Sequence, residues 1–157
     1  MHSKIYQIGL EPMTIESYVH PDFFYENSSD FADYIGDEIY GEKREKVVKH
    51  LPDLFPGVLE YVADSTLKYK SVDNFIKKWV KEIKELTKDL TPENLLKESR
   101  RLHLVKVLDK THLCLESRFF IENDNGYAGP ASDLIGFLSN QKEGTLIYVG
   151  SVIDFRY

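Results

Sequence analysis

Residues 102–121 read LHLVKVLDKTHLCLESRFFI. On a helical wheel Leu102, Leu104, Val105, Val107 and Leu108 scatter around most of the circumference, so 102–109 makes a poor amphipathic helix. As a strand it is an ordinary buried apolar run. Asp109 and Lys110 suit a tight turn, and 111–121 reads as the returning strand. One of its faces carries Leu113, Leu115, Phe119 and Ile121; the other carries His112, Cys114, Glu116, Arg118 and Phe120. Strands here, after a run of helices, predict an α+β domain.

Working outward, the strongest helix spans 72–90. At about 100° per residue, Val72, Phe75, Ile76, Trp79, Val80, Ile83, Leu86 and Leu90 fall within about 140° of arc. Ser71 is the expected N-cap. Trp79 is expected at the buried centre of that arc, where truncation to alanine would cost about 3–5 kcal/mol. Thr91-Pro92-Glu93 starts another helix, running to about Arg101. Upstream, 42–51 is helical, with Val47, Val48 and Leu51 on one side. Pro52 and Pro56-Gly57 break it, and a second helix is expected from Pro56 with Val58, Leu59 and Val62. Ser29 would cap a short helix containing Phe31, Ala32, Tyr34 and Ile35. A last helix is expected at 132–140.

The remaining strands are 4–10 and 145–156, with Gly150 at a bulge or bend. The expected architecture is a mixed or mainly antiparallel sheet of about four strands, near 4–10, 102–109, 111–121 and 145–156. Helices pack on it within a single domain spanning 1–157.

Composition narrows the function classes. The chain has 157 residues, 42% hydrophobic and 29% charged, with a net charge of −6. That argues against a disordered chain and against general nucleic-acid binding, which needs a basic surface. One cysteine permits no internal disulfide and no Cys-rich zinc site. No signal peptide and no membrane span are legible, so a cytoplasmic location and a reduced thiol are expected.

The charge is unevenly spread. Residues 5–42 hold nine acids and no Lys or Arg, whereas 43–101 hold fourteen bases and ten acids. Within the acidic stretch lie Asp22, Phe23, Phe24, Tyr25, Asp30, Asp33, Tyr34 and Asp37. Aromatics anchor interfaces, and fixed carboxylates steer a basic partner. These residues are the candidate binding surface, expected to present most of the nine carboxylates on one side. The leading expectation is therefore a small binding or accessory protein acting through protein–protein contacts.

The alternative is a small hydrolase or transferase. Period two puts His112, Cys114 and Glu116 on one strand face, where an imidazole could activate a thiol and a carboxylate orient the base. His103 could join them from 102–109. No local signature supports a nucleophile, so a chemically quiet Cys114 is expected. The histidines show no metal-type spacing, and no cofactor fingerprint occurs. The glycine-bearing loop 125–130 lacks any nucleotide-binding pattern. The Lys77, Lys81, Lys84, Lys88 row reads as a solvated, salt-bridged helix face. Association between copies of the chain remains open at this level.

Overall fold

The computed structural model describes residues 2–25, 32–88, 90–96, 116–122 and 126–156. The elements in chain order begin with β1 (His2–Gly9), α1 (Asp22–Tyr25), β2 (Tyr34–Glu38) and α2 (Gly41–Leu54). Then come β3 (Leu59–Ala63), β4 (Thr66–Tyr69), α3 (Asp73–Thr87) and α4 (Pro92–Leu95). The last are β5 (Arg118–Ile121), β6 (Ala128–Gly129), α5 (Ala131–Ser139) and β7 (Leu146–Arg156). A 3-10 turn at Ile15–Ser17 lies between β1 and α1.

Among the described residues the strands form one seven-stranded sheet in the order β3-β4-β7-β1-β5-β6, with β2 also paired to β7. β1 and β5 run parallel; the other pairings are antiparallel. The α+β class and the mixed, mainly antiparallel sheet match the expectation. β7 is the spine. One of its sides pairs with β1 over nearly its full length, and the other pairs with β4 and then β2, end to end.

Seven strands replace the expected four, for identifiable reasons. The helix expected from Pro56 is instead the β3–β4 hairpin. Asp64 and Ser65 take φ values of 46° and 59°, the paired left-handed conformation of a tight two-residue hairpin turn. Asp64 suits its position, but Ser65 stands where Gly is usual, so the Asp-Gly signal of such a turn is missing from the sequence. The alternating burial of 66–69, with Leu67 and Tyr69 inside, is a strand's. The helix expected to contain Tyr34 and Ile35 is β2, where Ile35 turns inward opposite Phe155. The two-residue β6 is too short to leave a pattern.

Residues 102–115 lie outside the described residues. Of the strand expected at 111–121, the part described is β5, and its pairings are β1 on one side and β6 on the other. α2 does not stop before Pro52 but continues to Leu54. A proline there forfeits one helical hydrogen bond, and the burial of Leu51 and Phe55 on either side of it offsets the loss.

Each sheet face carries its own core. Tyr6, Ile8, Phe119, Val149 and Val152 face α2, α3 and α5, which contribute Val48, Leu51, Phe75, Leu134 and Leu138. The Tyr6 and Phe119 rings stack at 5.6 Å, and Phe55 meets Phe119 edge-on at 5.7 Å. On the opposite face Ile5, Ile35, Ile153 and Phe155 gather around Phe24.

α3 runs over Asp73–Thr87 instead of 72–90, and Val72, not Ser71, holds its N-cap position with no side-chain cap, although the Asp73 N–H donates to Ser71 Oγ at 3.2 Å. Its apolar stripe is buried mainly at the start, however. Val72 and Phe75 are inside, Trp79 is only half-buried against Phe75, and Val80 is 43% exposed. Trp79 therefore packs at the margin of the core, not at its centre. No helix among the described residues is long and apolar enough to cross a membrane.

Candidate acidic edge and its neighbouring polar clusters

Of the acidic, aromatic residues, α1 carries Asp22, Phe23, Phe24 and Tyr25. Phe24 is buried and meets Phe120 edge-on at 5.7 Å, so it anchors the helical turn to the sheet. Phe23 also packs against Phe120 while remaining partly exposed. The Tyr25 hydroxyl donates to the Ile35 carbonyl at 3.0 Å. That bond ties Tyr25 to β2, whereas Phe23 packs on Phe120 of β5, two strands beyond β7, so α1 is not gathered onto β2 as a whole. Asp30 lies outside the described residues.

β2 uses its inner side on β7, helped by hydrogen bonds just beyond each end. The Asp33 N–H donates to the Arg156 carbonyl at 2.9 Å and the Ile39 N–H to the Val152 carbonyl at 2.7 Å. Among the described residues no strand pairs with its outer side. Around that edge Tyr34 is 55% and Tyr40 64% exposed. Asp33, Asp37 and Glu42 are exposed and make no ion pair among the described residues. Asp22 meets only its sequence neighbour His20, at 3.2 Å. The described lysines of 43–101 make no ion pair with these carboxylates.

A cavity of about 410 Å³ opens at the end of β2, lined by Lys4, Asp37, Glu38, Tyr40, Lys43 and Asp154, with Ile39. Lys4 Nζ and Asp154 Oδ1 pair at 2.6 Å. Glu38 Oε1 is buried and has no hydrogen-bond partner. The Tyr40 phenol is held above its usual range by its hydrogen bond to the Glu38 carboxylate, then by desolvation and the nearby charges of Glu38 and Asp37. This is an electronegative corner with one carboxylate oxygen lacking a donor.

The alternative catalytic face is not assembled by the described residues. His103, His112 and Cys114 lie outside them, and Glu116 is exposed just ahead of β5. Among the described residues no group of three or more His, Cys, Asp or Glu side chains could hold a metal ion. In the loop before α5, the Tyr127 hydroxyl donates to Asp133 Oδ2 at 2.7 Å. Asp133 also folds back over Gly129, so closely that a Cβ there would collide with its carboxylate. Both contacts are structural.

The largest polar cluster was missed in the sequence. Arg44 is buried although it sits in the charged run Glu42-Lys43-Arg44-Glu45-Lys46. Its spacing to Val48 and Leu51, i, i+4 and i+7, was the available signal that it points inward. Nε and Nη2 donate to the Gly150 carbonyl at 2.9 and 2.5 Å, and Nη2 also donates to the Val149 carbonyl at 2.5 Å. Nη1 donates to Ser65 Oγ at 2.5 Å, and the Tyr18 ring lies 5.0 Å from the guanidinium. Glu45 accepts from the Ser65 hydroxyl at 2.6 Å, the Ser65 N–H at 3.0 Å and the Tyr61 hydroxyl at 2.5 Å.

Burial pushes the Glu45 carboxyl upward, but hydrogen bonds from Ser65 and Tyr61, with Arg44 nearby, outweigh it and leave it below the usual carboxylate range. A carboxylate held so low is a weak general base for Ser65. A cavity of about 460 Å³ adjoins the cluster. The donors and acceptors of Arg44 and Glu45 are engaged within the fold. The cluster is a clip joining α2, the β3–β4 hairpin and β7.

No family model, no curated protein and no solved structure matches the chain.

Proposed function

We propose that the protein is a protein-binding module whose partner lays an extended, basic segment along the outer edge of β2. The observation that carries this reading is the outer edge of β2, which pairs with no strand among the described residues and is bordered by Asp33 and Asp37, without ion pairs among those residues, and by the exposed rings of Tyr34 and Tyr40. An exposed strand edge is a template for an added strand, and folds commonly blunt it with lysine or proline. β2 reads YIGDE and has neither. Its acids repel a second copy of the same edge and attract a basic strand. Main-chain hydrogen bonds would supply affinity, and alternate side chains of the partner would set specificity.

The test is fluorescence anisotropy with a labelled ten-residue peptide of alternating arginine and valine. Binding that weakens steeply with salt, and that is lost in Asp33→Lys/Asp37→Lys, supports the reading. Equal binding of the alternating glutamate and valine peptide, or no binding of either at low salt, contradicts it.

A further inference from the structure

A third cavity, of about 390 Å³, lies between α2 and β1. Its apolar wall is Tyr6, Val47 and Leu54. α2 supplies Lys43, Lys46 and His50 to the same cavity, at i, i+3 and i+7 beside Val47 and Leu54. One helix face is thus cationic along one line and apolar along the next. Lys4 and Ser117 contribute from the sheet side. The volume falls near the lower end of small-ligand sites, which span about 300–1,000 Å³.

The charges here are not all balanced within the fold. Lys4 is matched by Asp154 and His50 by Asp53, at 2.6 and 3.0 Å. Lys43 and Lys46 make no ion pair among the described residues. Tyr6 is only 4% exposed and stacked on Phe119, yet its hydroxyl makes no hydrogen bond among the described residues. Burial of the ring pushes that phenol up to about 12, so at neutral pH it keeps its proton and can donate into the cavity. A cation or a purely apolar molecule would satisfy neither the ammonium groups nor the phenol.

We infer that this cavity is a binding site for a small carboxylate with an apolar body, its headgroup held by Lys43, Lys46 and the Tyr6 hydroxyl and its tail laid on Val47 and Leu54. This cavity shares Lys4 and Lys43 with the one at the end of β2, but the inference does not rest on the β2 edge reading, since it invokes an anionic small molecule and not a basic chain.

The experiment is a calorimetric titration of the full chain with sodium decanoate, with decanol and decyltrimethylammonium as the uncharged and cationic counterparts. Decanoate should bind about tenfold or more tightly than either counterpart, the worth of one charge-assisted hydrogen bond. Lys43→Ala/Lys46→Ala alters two exposed side chains and should weaken decanoate about tenfold with the thermal midpoint unchanged. Tyr6→Phe should weaken it by a smaller factor, about threefold to tenfold. Equal binding of decanol, or full affinity in the double lysine variant, would overturn the assignment. So would decanoate contacts that map by NMR to residues 33–38 and not to α2.

Discussion

Arg44 donates twice to the Gly150 carbonyl, from Nε at 2.9 Å and from Nη2 at 2.5 Å. The register of β7 against β1 shifts here: Tyr6 faces Val152, but Ile8 faces Val149. A bulge of this kind disrupts the ladder and leaves backbone groups in need of partners. The buried guanidinium satisfies them, and its remaining donors reach across to the β3–β4 hairpin.

Arg44→Met keeps much of the side chain's length but leaves the Val149 and Gly150 carbonyls and the Ser65–Glu45 pair without their donor. The expected loss of stability is about 3 kcal/mol or more. Arg44→Lys should recover only part of it, because a point charge cannot span three acceptors. Urea unfolding of the two variants against the parent checks the ordering; an unaffected Arg44→Met midpoint would show that the clip contributes little.

Gly150→Ala should be destabilising for a separate reason. A Cβ there would stand 2.4 Å from Gln7 Oε1 and 2.5 Å from Met13 Sδ. Gln7 is buried, its oxygen accepting the Val19 and Ser151 N–H groups at 3.0 Å and its amide donating to Ser17 O and Glu122 Oε1. Displacing it should cost about 1–3 kcal/mol and release the segment before α1. Hydrogen exchange should then show faster exchange of the Val19 amide than of the Leu67 amide, relative to the parent.

Acid should weaken the fold through Glu45. Its carboxyl is lowered in the folded chain relative to 4.5. A lowered folded value means that its stabilisation is complete above the unfolded value and is lost as pH falls through the folded one. Glu45→Gln should flatten the fall in stability below about pH 4.5, measured as the urea midpoint against pH. An unchanged slope would show that Glu45 is not protonated on unfolding in that range.

Phe55 and Trp79 should separate sharply. Phe55 is fully buried between Phe75 and Phe119, so Phe55→Ala should cost about 3–5 kcal/mol. Trp79 is half-buried, and Trp79→Ala should cost distinctly less. Thermal unfolding of both variants decides; equal losses would place Trp79 in the core after all.

What the sequence revealed follows its periodicities. The amphipathic stripe of α3, the alternation in β1 and the glycine of the β7 bulge were legible because each leaves a local pattern. The β3–β4 hairpin was not, because Ser65 stands where such a turn usually has Gly, and Val58, Leu59 and Val62 happen to fit a helix. β2 was misread because its five residues offer one buried side chain, Ile35, and their strand state comes from pairing with β7. At the candidate site, the acidic, aromatic stretch was visible as composition, but its edge-strand geometry depends on the distant residues 153–156. Arg44 was concealed by its charged neighbours, and the unpartnered Glu38 oxygen and Tyr6 hydroxyl are properties of packing alone.

The most direct test of the β2 reading is amide hydrogen exchange across residues 33–40 with and without the alternating arginine and valine peptide at low salt. Strand addition predicts new protection of the β2 amides that do not bond to β7, with the Asp33 and Ile39 amides, already engaged, changing little. Binding that leaves every β2 amide as exchangeable as before would contradict the account, since it would reduce the acidic edge to a diffuse charge.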